Sequence, residues 1–311
     1  MRTEAFRYQV FPQLWRLPPD WSEVFGRKGP IWVEVGFGNG EFLAAMASKH
    51  PEVNFVGFEL SLTSFVKAQK RFFNEGLENI RLVMVDGRFG LRELFKDGEV
   101  ERVYVNFPCP WSKKGYEDRR ITTDDFVKTL GAVLEDGGIF ELMTDDERYS
   151  KEVYEKLTES GLFKVHEVEV NKDRGLRTRY ERKWIEMGRK TFLIKAEKVR
   201  KASVERLTWG EEEVHVRIEK VDEGKIRELA GKVFKGRNDR VFVVKDVFIS
   251  PDGDGASFRI ISSDKGFQQH YYAILEKRKD FWLLKLDSTC HPYRTPAVKW
   301  SIYKIAEEIR K

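Results

Sequence analysis

Between Ile31 and Glu41 the chain reads Ile-Trp-Val-Glu-Val-Gly-Phe-Gly-Asn-Gly-Glu, an apolar run that ends beside an acid and opens onto three alternating glycines. Gly36, Gly38 and Gly40 let a backbone turn come close to a ligand that side chains would hold off. The later glycine of a dinucleotide fingerprint is absent from this spacing. Glu34, placed before the first glycine, suits the ammonium of a methionine moiety and repels a pyrophosphate. These residue types therefore point to S-adenosylmethionine rather than NAD, and to methyl transfer; a tight strand-to-helix turn with no ligand is the bland alternative. Glu59 ends the next apolar run, 23 residues after Gly36, where a carboxylate can accept both ribose hydroxyls. Asp86 ends the third run, placed to approach an adenine amino group, and Asn106 closes the fourth. Acids at successive strand ends fit one crevice, because the carboxyl ends of parallel strands line the ligand site of an open sheet.

A second chemical segment follows Asn106: Phe107-Pro108-Cys109-Pro110-Trp111-Ser112-Lys113-Lys114, then Arg119-Arg120. Two prolines make the loop extended and rigid, and Trp111 offers an aromatic face. Lys113, Lys114, Arg119 and Arg120 are placed to hold phosphate. A solvated basic loop around a packed Trp is the plainer reading of the same residues. Further on, the charged loop Lys172–Arg182 crowds Arg174, Arg177, Arg179 and Arg182 around Thr178 and Glu181, a composition that favours a polyanionic acceptor.

The elements that must position these groups follow from the apolar pattern. Short runs at Ile31–Val35, Asn54–Phe58, Arg81–Val85, Arg102–Asn106 and Ile139–Thr144 alternate with helical patterns at Glu41–Ser48, Leu62–Glu75 and Asp124–Glu135. That alternation predicts an α/β fold, a doubly wound, mainly parallel sheet wrapped by helices. A helical stretch Tyr149–Ser160, a strand Lys164–Asn171 and a final strand Lys190–Lys198 complete it. Beyond Lys201 the pattern changes to an antiparallel meander, with strands at Val241–Ile249, Ser257–Ser262, Gln268–Leu275 and Phe281–Leu286. A terminal helix from Pro296 sets Val298, Ile302, Ile305 and Ile309 on one stripe. The expected organisation is a catalytic domain over residues 1–200 and a smaller α+β extension over 204–311.

With these motifs in this order, the chain resembles the bacterial tRNA (guanine-N7)-methyltransferase family of class I S-adenosylmethionine-dependent enzymes with a Rossmann-like fold. The resemblance spans about Ile31 to Lys198 and rests on Glu34–Gly40, Phe55–Glu59, the Phe-Pro-x-Pro-Trp-x-Lys-Lys loop with Arg119-Arg120, Gly138 followed by Thr144-Asp145, and Thr178-Arg179-Tyr180-Glu181. It implies methylation of the variable-loop guanosine at position 46 of tRNA. It also implies that Thr178 and Glu181 grip the guanine, with Asp145 near the acceptor; Trp111, Lys113, Lys114, Arg119, Arg120 and Arg179 complete the tRNA-binding set. Cys109 stands where the family has a catalytically important Asp. Guanine N7 has an in-plane lone pair and no proton, so transfer needs alignment rather than a base, and a carboxylate stabilises the charge that develops. Asp145 or Glu181 is the expected source of that charge, with Cys109 retained among the catalytic candidates. Pro108-Cys109 also matches the nucleophile pair of cytosine-C5 methyltransferases. A catalytically lapsed tRNA-binding protein and a small-molecule methyltransferase are the other readings.

Composition bounds the rest. Of 311 residues 41% are apolar and 34% charged, a charge content shared by many thermophile proteins. The net charge of +5 divides into +1 over residues 1–200 and +4 over 201–311, which permits a nucleic-acid partner. Cys109 and Cys290 form no disulfide or zinc spacing, and the five histidines form no metal constellation. No apolar stretch is long enough to span a membrane, and the charged residues after Met1 leave no signal core; a cytoplasmic protein, monomer or homodimer, is expected. In the extension, Lys277-Arg278-Lys279 lies near Phe267, Tyr271, Tyr272 and Trp282, a mixture suited to RNA contact or to a plain core with a solvated hairpin.

Overall fold

In the computed structural model, residues 7–111, 115, 119–175, 179–209 and 214–311 are described, apart from the side chains of Arg179 and Tyr180. The chain divides into two compact units, Met1–Pro12 with Pro18–Glu205, and Gln13–Leu17 with Arg206–Lys311.

The first unit is built on β1 (Ile31–Val35), β2 (Asn54–Phe58), β3 (Ile80–Val83), β4 (Val100–Asn106) and β5 (Leu134–Thr144), completed by β6 (Phe163–Val165), β7 (Glu169–Val170) and β8 (Phe192–Lys198). Their order is β3-β2-β1-β4-β5-β8-β6, with β7 also on β8; β1 to β5 run parallel and β8 is antiparallel to β5. β1 and β2 are buried along their whole length, as strands covered on both faces by crossover helices must be. The helices of this unit are α1 (Trp21–Phe25), α2 (Glu41–Lys49), α3 (Leu62–Asn74), α4 (Gly87–Glu93), α5 (Asp124–Val133), α6 (Glu147–Glu159) and α7 (Arg179–Glu186), of which α2 to α5 lie in the connections between the parallel strands. The chain leaves β1 toward β2 on one side and reaches β4 on the other, so the order reverses between β1 and β4. A crevice opens at such a reversal because successive crossovers depart to opposite sides.

Three expectations need correcting here. The segment Lys164–Asn171 is not one strand: β6 ends at Val165 and β7 begins at Glu169, with His166, Glu167 and Val168 between them. Asp86 does not simply end a strand: β3 stops at Val83, and Asp86 caps α4 by accepting from the Arg88 amide. The stretch read as the loop Lys172–Arg182 turns helical from Arg179.

The second unit is a six-stranded antiparallel sheet of order β10-β11-β12-β13-β14-β9, formed by β9 (His215–Ile218), β10 (Val233–Lys235), β11 (Val241–Ile249), β12 (Gly255–Asp264), β13 (Phe267–Lys277) and β14 (Trp282–Leu286). The meander visible in the sequence is its centre, and β9 and β10 pair onto the two outer strands. The short helix α8 (Glu223–Glu228) and the terminal helix α9 (Pro296–Ile309) complete the unit. Val298, Ile302, Ile305 and Ile309 of α9 are fully buried with Phe242, Phe258, Ile260 and Leu284 of the strands. Each such aliphatic side chain contributes about 1.5–3 kcal/mol on burial.

Candidate active site

At the reversal point, β1 turns into α2 through Gly36, Gly38 and Gly40, all with left-handed φ, of 74°, 54° and 73°. A Cβ on Gly40 would also lie 2.6 Å from the Phe72 ring and 2.9 Å from the Ala68 methyl, so glycine is required there by space and by conformation. Gly38 matters through its backbone: its N–H donates to Glu59 Oε2 at 2.9 Å. Glu59 Oε1 accepts from the amides of Leu60 and Ser61, which orients the carboxylate at the end of β2 toward the glycine turn.

Across β1 and β4, Glu34 pairs with Tyr104, and Asn106 lies two residues beyond that partner. Alternation along a strand therefore puts Asn106 on the same face as Glu34. Asn106 Nδ2 donates to Glu34 Oε1 at 2.9 Å, while Glu34 Oε2 makes no hydrogen bond among the described residues. Glu34 is 2% exposed. Burial pushes its carboxyl up to about 7, against the opposing effects of the Asn106 hydrogen bond and the Arg174 charge. A buried acid with an open oxygen is costly in isolation and favours a cationic or hydrogen-bond-donating ligand.

These groups line one cleft of about 320 Å³, whose walls include Glu34, Gly36, Gly38, Glu59, Asn106 and Cys109. Its walls also hold Phe37, Phe42 and Ser64, which no local sequence signal had marked. The remaining candidates stand elsewhere. Asp86 is engaged by its own neighbour, with Arg88 Nη2 3.0 Å from Oδ2 and Nε 3.2 Å from Oδ1. Asp145, just past β5, pairs with Arg189 at 2.9 Å, and that guanidinium lies over the Trp184 ring. Arg120 faces the protein: Nε donates to the Pro110 carbonyl, Nη2 to that of Trp111, and Nη1 pairs with Glu152 of α6. It thereby holds the loop that carries Cys109 and Trp111, while Arg119 stacks over the Trp111 ring at 5.1 Å. Lys113, Lys114 and Thr178, and the side chain of Arg179, lie outside the described residues.

Glu181 of α7 is 1% exposed and lies 3.7 Å from Arg174. Its segment leaves and rejoins the sheet at one place. Val170 pairs with Phe192, the Asn171 amide donates to the Thr191 carbonyl, and the Thr191 amide donates back to Asn171 Oδ1. Residues 171–191 thus form an excursion closed at its neck. Arg174 returns from it to Asn106 Oδ1 at 3.0 Å, a contact invisible in a sequence where the two residues are 68 apart.

A parallel sheet reversing between its first and fourth strands, with a glycine turn and buried acid at the reversal, defines a class I methyltransferase. A family described as "Putative methyltransferase" matches residues 28–194. A tRNA (guanine-N(7)-)-methyltransferase of Thermotoga maritima is 55% identical over 309 residues, covering 97% of this chain and 96% of that protein. One of Coprothermobacter proteolyticus is 31% identical over 301 residues, covering 94% and 90%. The chain belongs to the tRNA (guanine-N7)-methyltransferase family.

Proposed function

We infer that this protein transfers a methyl group from S-adenosylmethionine to N7 of a guanosine in tRNA, and that the guanosine is the one at position 46 of the variable loop. The observation that carries the reading is Glu34: a buried carboxylate with an open oxygen, at the sheet's reversal point and across a glycine turn from Glu59.

The residues present fit the donor. Glu34 takes the ammonium of its amino-acid end, with Asn106 fixing the carboxylate that does so. Gly36, Gly38 and Gly40 admit the ligand close to the backbone, and the lone pairs of Glu59 not used by amides accept the ribose hydroxyls. Asp86 is assigned to the adenine side, a role that requires Arg88 to share it. Bound there, the donor supplies an electrophilic sulfonium methyl.

The acceptor side asks for orientation and negative charge. N7 would attack the sulfonium methyl through its own lone pair, the S–C electron pair would return to sulfur as S-adenosylhomocysteine leaves, and the purine would gain the positive charge that the sulfur loses. Glu181 and Asp145 are the carboxylates we assign to that charge, with Thr178 and Arg179 beside Glu181. Trp111, Lys113, Lys114 and Arg119 are assigned to base stacking and phosphate contact, and Arg120 to holding their loop. Cys109 only lines the cleft in this scheme, because N7 needs neither a base nor a covalent nucleophile.

Incubation with unmodified tRNA and labelled S-adenosylmethionine, followed by chemical cleavage at N7-methylguanosine, tests the reading. A single label at position 46 is expected. Label on cytosine C5, lost in Cys109→Ser, would replace it with the covalent alternative.

For the second unit we propose a tRNA-contact role on the sheet face opposite α9. Strand alternation places Arg217, Arg259 and Tyr272 there, with Arg259 and Tyr272 cross-strand neighbours. Arg259 is paired there with Asp246, which leaves Arg217 and Tyr272 as the groups suited to phosphate contact and stacking. Arg217→Glu should weaken tRNA binding at low salt with an unchanged melting temperature; unchanged binding assigns the unit to stability alone.

A further inference from the structure

Arg174 belongs to the excursion 171–191, yet its guanidinium is buried beside the cofactor cleft, with the side chain only 11% exposed. It lies over the ring of Phe42, a cleft residue, at 5.1 Å and donates from Nη1 to Asn106 Oδ1. The same Asn106 amide donates from Nδ2 to Glu34. Its orientation is dictated by its neighbours: reversing the amide would set N–H against N–H at Arg174 and oxygen against oxygen at Glu34. One side chain therefore fixes a cation and an anion side by side.

Arg174 is incompletely used. Nε and Nη2 make no hydrogen bond among the described residues, although Glu181 stands 3.7 Å from Nη2. Those two nitrogens present parallel N–H groups on one edge of the guanidinium, the geometry that takes a carboxylate through two bonds. Glu34 Oε2 is open in the same network. An α-amino acid carries an ammonium and a carboxylate on one carbon, so it offers the complement of both open groups at once.

We propose that Arg174 recognises the carboxylate of the donor's amino-acid end and, with Glu34 and Asn106, forms a receptor for that zwitterion. The inference rests on S-adenosylmethionine being the donor, and it names Arg174 as a specificity-determining residue. It also gives the acceptor excursion a direct part in holding the donor, because Arg174 and Glu181 belong to that one segment.

The test is calorimetric binding of two ligands to the full chain: S-adenosylhomocysteine and its decarboxylated analogue, which keeps the amine and lacks the carboxylate. The wild type should prefer the complete product by about tenfold or more, the scale of charge-assisted hydrogen bonds. Arg174→Gln should erase that preference by costing S-adenosylhomocysteine about tenfold more affinity than it costs the analogue, and Arg174→Lys should restore part of it. A preference that survives in Arg174→Gln, or an equal loss for both ligands, overturns the assignment. If the wild type binds neither ligand, the donor reading itself falls and takes this inference with it.

Discussion

Two buried polar clusters, one in each unit, use their hydrogen-bonding groups differently. In the second unit Asp264 receives the Ala297 amide with both oxygens at the start of α9. Gln269 there spends its amide on the Tyr293 carbonyl and the Thr295 hydroxyl and its oxygen on the Tyr293 amide, and Tyr271 meets Ser301. Each of those bonds ties a strand to the terminal helix or the turn before it. In the first unit the buried groups at the reversal point stop short of closure: Glu34 and Arg174 hold Asn106 between them and keep atoms in reserve. The cluster at α9 positions elements; the one at the reversal point lies beside a cleft, where a ligand can complete it.

Variants should separate the two kinds. Glu34→Ala is expected to cost about a hundredfold or more in S-adenosylhomocysteine affinity, since it removes a buried charged partner; calorimetry reads it, and an affinity within threefold would put the ammonium elsewhere. Ile302→Ala should lower the stability of the second unit by about 3 kcal/mol through an unfilled cavity. The same variant should leave that affinity unchanged, which denaturant melts and calorimetry together decide. Glu181→Ala and Asp145→Ala should each slow single-turnover methylation by roughly ten- to a hundredfold. Full turnover in both would strip the acceptor assignment of its charge.

Acidity gives a finer probe. Glu34 is raised from 4.5 to about 7, so between those values it stays protonated when folded and ionises when unfolded. Its contribution to ligand-free stability is therefore complete below pH 4.5 and is lost as the pH rises through about 7. Ligand affinity runs the other way, because an ammonium binds the ionised acid. It should climb with pH, by at most about tenfold per unit, and level off above about 7. Glu34→Gln should flatten both profiles. The smallest effect is expected for Cys109→Ser, within about threefold in turnover, as for an exposed side chain with no assigned step.

How much of this was legible in the sequence depends on distance along the chain. Ile31–Val35 and Asn54–Phe58 were readable to the residue, because buried parallel strands are continuous apolar runs bounded by turn formers. The terminal helix was equally plain from its Pro at the first turn and its apolar stripe. The glycine turn with Glu34 and Glu59 was readable because its chemistry is written in adjacent residues. Asp86 shows the limit: an acid before a glycine reads alike as a ligand group and as a helix cap, and the capping role emerges only with α4 in place. Arg174 and Arg120 show a second limit. Both sit among other basic residues, and only the tertiary path turns one toward Asn106 and the other toward Pro110 and Glu152.

The neck between Asn171 and Thr191 has an evolutionary corollary. Because that detour starts and finishes on the same rung of the sheet, its length and contents can drift without shifting the strands that flank it. On the proposed assignment, acceptor preference can thereby change while the donor half stays intact, provided each new version still sends one cation back across Phe42.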